Sequence, residues 1–183
     1  MRPRTNTIRA LPFDFKDLKS HLRIDHDLDD VYINGLAWAA IEHVEEATGR
    51  TFAPETYTLV LSAFPCDVIR LPYAPVTSVE DIQYFDANNE AATLSDFYMN
   101  LGTQKSTLMP IDTWPSTYER PDAVTVTYHA GGARLPHPVR QAVFFLVGAW
   151  NENREGEITG TISSELALGV NRILSHWRKR PYA

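Results

Sequence analysis

Ala123-Val124-Thr125-Val126-Thr127-Tyr128 runs into His129-Ala130-Gly131-Gly132, and beyond Pro136 and Pro138 the chain is largely apolar from Val139 to Trp150. In the first stretch apolar and polar residues alternate strictly, which puts every second side chain on one face of a strand. The second is apolar nearly all round, and a helix without a polar face has to be buried on most sides. It is expected to be the central core helix, from Val139 to about Asn153, with Pro138 suited to the first helical position, where a missing N–H is no loss. A small β unit ends here and a helical pair begins.

Upstream of that joint the period of two recurs. Tyr57–Leu61, Val79–Phe85, Asp96–Asn100, Ser106–Met109 and Ala123–Tyr128 read as short strands, about five or six in all, with Asp86-Ala87-Asn88-Asn89 as a turn. Pro65, Pro72, Pro75, Pro110, Pro115 and Pro121 punctuate them, which suits edges and loops. No helix-length segment separates the strands, so they are expected to pair antiparallel.

Both flanks are helical in pattern. A short helix is expected from Phe15 to about Leu22, with Asp14 capping its first amides. Ile33, Leu36, Ala37, Ala40, Ile41 and Val44 form one apolar stripe at helical spacing, with Glu42, Glu45 and Glu46 off it. That helix should run from about Asp29 to Thr48, with Asp27 or Asp29 at its start and Gly49 as its left-handed stop. After a Gly/Thr loop, Gly156–Thr161, a last helix is expected from about Leu166 to Arg178. Its inner stripe is Leu166, Val170, Ile173, Leu174 and Trp177. The fold class is therefore α+β: a helical bundle built from N- and C-terminal helices, about 14–50 and 138–179, with an inserted small antiparallel β unit, about 55–130. Residues 1–183 are taken as a single domain, and 177–183 as its C-terminal tail.

Composition excludes several functions. The net charge of −6 argues against wrapping nucleic acid, because phosphate binding needs a basic face. The single cysteine, Cys66, cannot form an internal disulfide. Met1-Arg2-Pro3-Arg4 is followed by no apolar region of the kind a secretory signal carries. The longest apolar run, Ala142–Trp150, falls far short of the ~20 residues that cross a bilayer, so a soluble protein without membrane contact is expected.

Nor does a reaction centre emerge. Asp25-His26-Asp27-Leu28-Asp29-Asp30 begins like a calcium loop, but Asp30 and Leu36 stand where an EF-hand needs glycine and glutamate. A solvated acidic cluster at a helix start is the better account. His21 and His26 lack zinc-helix spacing, and His129, His137 and His176 are scattered. No nucleophile elbow, zinc-protease or redox-cysteine motif is present. No catalytic residue, metal or cofactor is expected, and the chain is read as a non-enzyme. The basic end, Arg172, Arg178, Lys179 and Arg180 around His176 and Trp177, has two readings. Either the cations simply favour a helix C-terminus, or the segment is a docking peg, since Trp, Tyr and Arg are enriched at binding hot spots.

An ordered set of stretches resembles the head–tail connector (adaptor) family of siphovirus-type tailed phages and related phage-like particles. Leu18–Asp25 and the acidic run after it resemble the family's opening helix and turn, and Glu45–Arg50 the end of its long helix. Leu71–Val79 with Ile82–Asp86 is similar to the start of its β region. Trp114-Pro115, Ala123–Gly131, Gln141-Ala142, Glu152–Glu155 and Gly169–Arg178 follow in the family's order. Asn151 departs from the pattern, which has an aromatic after the tryptophan. The resemblance implies a structural adaptor in the virion neck, assembled in the host cytoplasm, as a ring of about twelve subunits. Its partners would be the portal protein on one side and a stopper or tail protein on the other, with DNA passing through the lumen without specific binding. In that picture Trp177, Arg178, Lys179, Arg180, Pro181 and Tyr182 dock on the portal. Glu42, Glu45 and Glu46, on the outer face of the long helix, make lateral ring contacts. The alternatives are a stopper or tail-completion ring protein, or a small β-rich binding module or hydrolase.

Overall fold

The computed structural model describes residues 10–102, 105–132, 134–153 and 161–178, with side chains in the last helix from 168 onward. The chain divides into two compact units, one helical and formed by segments from both sides of the β region, the other the β segment 54–132. Each has its own apolar core.

The helical unit holds α1 (Phe15–Leu22), α2 (Asp30–Thr48), α3 (His137–Glu152) and α4 (Thr161–Ser175). Asp14 caps α1 as expected, its Oδ1 accepting the Lys16 amide at 2.9 Å. Arg23 closes the helix in the left-handed region at φ 57°, and the next amide, Ile24, donates to the Lys19 carbonyl. In α2 the expected stripe is the buried one: Ile33, Ala37, Ala40, Ile41 and Val44 are in the core. Gly49 stops it at φ 67°, a conformation that glycine adopts without the Cβ penalty. Asp29 holds the N-cap position, but its carboxylate makes no capping hydrogen bond.

From α3 the core takes Val139, Ala142, Val143, Phe144, Leu146 and Val147, and from α4 Val170 and Leu174. Two pairs of helices distant in sequence therefore share one interior. Helix α3 starts two residues before Val139, placing Pro138 second in the helix. Helix α4 starts five residues earlier than expected and ends at Ser175 rather than Arg178. Of the expected loop Gly156–Thr161, Thr161 already belongs to α4 and 156–160 lie outside the described residues, as does the Leu166 side chain.

The β unit has seven strands among the described residues: β1 (Glu55–Leu61), β2 (Ile69–Leu71), β3 (Val76–Phe85), β4 (Ala91–Thr93), β5 (Phe97–Leu101), β6 (Ser106–Pro110) and β7 (Val124–Ala130). They form two sheets, ordered β1-β7-β3-β4 and β2-β6-β5, and every pairing is antiparallel. β2 and β4 went unread because three residues are too few to show a period. Along β7 the alternation is clean: Val124, Val126, Tyr128 and Ala130 are buried, with Thr125, Thr127 and His129 on the other face. Gly131 then turns at φ 83°, its amide donating to the Pro75 carbonyl. The expected turn at Asp86–Asn89 is present, built by Asp86 Oδ1, which accepts the amides of Asn88 and Glu90 at 2.9 Å each.

Candidate interaction surfaces

Among the described residues no group of three or more potential ligands could hold a metal. One chemical constellation does form, which spacing alone could not reveal. Thr56 lies directly across from His129 in the β1–β7 register, and its Oγ1 is 2.9 Å from His129 Nδ1. The register of β3 against β7 shifts between Val79 and Asp81, so Glu80 is the extra residue of a bulge, and its Oε2 comes 3.6 Å from His129 Nε2. Hydroxyl, imidazole and carboxylate thus adjoin one another. Histidine and glutamate are both substantially exposed on a sheet surface, so the trio is a cross-strand polar cluster. Cys66 is exposed in a loop.

In the helical unit, the acidic run is partly neutralised from within. Lys19 Nζ is 2.6 Å from Asp27 Oδ1 and 2.8 Å from Asp30 Oδ1. Hydrogen bonding to these carboxylates raises the Lys19 pKa, and Lys19 in turn holds Asp27 below its ordinary value. The run and the first turn of α2 also display two aliphatic side chains in solvent: Leu28 is 92% and Val31 90% exposed. Sequence reasoning passed over both. The available signal was that neither belongs to the α2 stripe, leaving each without a core to join.

Elsewhere in this unit a cleft of about 390 Å³ opens beside the start of α1. Leu11, Pro12, Phe13 and Leu135 supply its apolar lining, and Arg134 and His137 are exposed residues of its wall. Its two acids are engaged: Asp14 caps α1, and Asp17 Oδ2 accepts from Arg140 Nη1 at 3.0 Å.

The residues expected to dock or to make ring contacts are placed unequally. Trp177 is half-buried, edge-on to Phe52 with ring centroids 6.3 Å apart. Its carbonyl accepts from Arg50 Nε at 2.7 Å, and the Arg50 guanidinium lies 5.7 Å from the indole centroid. Burial lowers the Arg50 pKa. Trp177 is thereby held against the helical unit near the end of the described residues. Arg178 is exposed beyond it, and Lys179, Arg180, Pro181 and Tyr182 lie outside the described residues.

Glu42 and Glu46 are exposed on α2, as expected. Glu45 is not: it is fully buried, with Oε1 accepting the amides of Phe52 and Ala53 at 2.7 and 3.1 Å. The position sits at the margin of the apolar stripe. A carboxylate there can turn inward because two amides beyond the helix end satisfy it. Glu45 joins the interior, not an outer contact face.

Comparison with known proteins gives these surfaces a context. Residues 14–107 match the family described as phage gp6-like head-tail connector protein. A chain in the neck of an empty GTA particle computed with C6 symmetry has a similar fold, with a TM-score of 0.79 at 23% identity, over 97% of this chain and 96% of that one. A chain in the virion of the native gene transfer agent (GTA) particle gives 0.79 at 20%, over 98% and 96%. Another, in the neck of the native GTA particle computed with C12 symmetry, gives 0.77 at 21%, over 100% and 97%. No curated protein matches the chain.

Proposed function

The chain belongs to the phage gp6-like head-tail connector family, and from that premise we propose that it is a subunit of a symmetric ring in the neck of a tailed phage or GTA-type particle. There it links head to tail as a structural part, with both units acting together as one connector. The observation that carries this reading is the family match over α1, α2 and most of the β unit, joined to a fold shared end to end with chains of particle necks. A ring of about twelve agrees with the C12 symmetry of one of those necks. Glu42 and Glu46 remain candidates for lateral contacts. With a net charge of −6 per subunit, such a ring would repel passing DNA and leave it free to slide.

The portal protein is the proposed head-side partner and a stopper or tail protein the other. Docking on the portal falls to the tail that follows Trp177, with Arg178, Lys179, Arg180, Pro181 and Tyr182 as the peg. Because Trp177 packs on Phe52, deletion should begin after Arg178, sparing the core. The shortened chain is expected to unfold at the same temperature as the full chain and to lose capture by immobilised portal, and neither chain should shift duplex DNA at low salt. Unchanged capture by the portal would remove the tail from this role.

A further inference from the structure

We infer that the outward face of α2 binds the outward face of α4 in a second copy of this chain, and that this pair of helices is the lateral contact of the ring. On α2, Val31, Gly35 and Ala39 stand at four-residue spacing, which puts them on one side of the helix, and Glu42 and Glu46 continue that side. All five are exposed, Val31 by 90%. On α4 the same spacing places Leu168 and Arg172 together, both exposed, Leu168 by 69%. Neither Glu46 nor Arg172 makes an ion pair among the described residues.

Charge and shape both select this pairing. Between Val31 and Thr48 there is no lysine or arginine, and from Leu168 to Arg178 there is no aspartate or glutamate. Gly35 and Ala39 leave room on α2, where a Cβ added at Gly35 would meet nothing within 4 Å. Small residues at a crossing let two helix axes come close, and an exposed leucine gains by covering apolar surface. With Leu168 over Ala39 and the helices parallel, Arg172 lies about 6 Å further along. Glu42 and Glu46 lie about 4.5 and 10.5 Å beyond Ala39, so the guanidinium falls between them.

One chain cannot make this contact with itself. Its α2 and α4 already face a shared core, through Ile33, Ala37, Ala40 and Ile41 on the first and Val170 and Leu174 on the second. The sides named above point away from that core. Two different surfaces joined between copies make a head-to-tail contact, and this kind forms a ring when the rotation between neighbours closes. The inference rests on the ring reading and gives Glu42 and Glu46 a partner.

Sedimentation of the full chain over a concentration series, alone and with portal, tests it. Leu168→Asp and Gly35→Lys are each expected to weaken self-association by about tenfold to a hundredfold. Neither should lower the unfolding temperature, since Leu168 is outside the core and the space beside Gly35 is open. Glu46→Lys and Arg172→Glu should each weaken association by up to about fivefold, and the two combined in one chain should associate more tightly than either alone. Wild-type assembly by Leu168→Asp or Gly35→Lys, or a combined variant no tighter than the single ones, would overturn this contact while leaving the ring intact. A wild-type chain that forms no ring, alone or on portal, would overturn contact and ring together.

Discussion

Glu45→Ala is expected to destabilise the helical unit by about 2–6 kcal/mol, taking about 1–3 kcal/mol for each of two buried amides left without an acceptor. The Glu45 side chain has no exposed surface, and its Oε1 accepts from both Phe52 and Ala53, the residues that lead out of α2. Truncation would strand those amides where water cannot replace the carboxylate. Glu45→Gln keeps an acceptor oxygen and should recover most of the loss. Denaturant unfolding followed through tryptophan emission is a suitable readout, since Trp38, Trp150 and Trp177 all pack against this core. A Glu45→Ala chain within about 0.5 kcal/mol of wild type, the range of ordinary surface changes, would contradict this account of the chain's exit from α2.

Tyr57→Ala should cost the β unit about 3–5 kcal/mol, the usual range for removing a large aromatic from a packed core. Tyr57 is fully buried, its ring stacked 4.3 Å from Tyr73 and 5.7 Å from Tyr128 by centroids. Its hydroxyl donates to Glu55 Oε2 at 3.0 Å. Tyr57→Phe keeps the stack and removes the hydroxyl that donates to Glu55, so about 0.5–1.5 kcal/mol is expected. Near-equal losses in the two variants would place the stabilisation in the hydroxyl and refute the packing explanation.

Legibility in the sequence followed the range of the interaction involved. The α2 stripe, the alternation along β7 and the glycine at the end of α2 are local signals, and the structure bears them out. The assembly of both chain ends around one core was legible because α3 is too apolar to stand alone. Short strands were not, since β2 and β4 exist only through their partners β6 and β3. The inward turn of Glu45 depends on amides seven and eight residues later. The grouping of Thr56, Glu80 and His129 depends on strand register and a bulge. Leu28 and Val31 gave a faint signal, apolar residues within and just after an acidic run. The cleft gave none, because α1, α3 and the segments before each must fold together to form it.

Glu45 also shows how a surface expectation can fail on chemistry that is sound in general. Three glutamates off an apolar stripe usually face water. Here two do, and the third is retained inside because two amides need an acceptor. Trp177 is the converse case, an aromatic suited to a partner that is already engaged within its own chain by Phe52 and Arg50.

Electron-microscope images of the full chain mixed with its portal test the connector role most directly. A closed ring of these subunits seated coaxially on the portal, near twelve in number, is the predicted result. A portal that stays bare while the folded chain remains free in solution would contradict it.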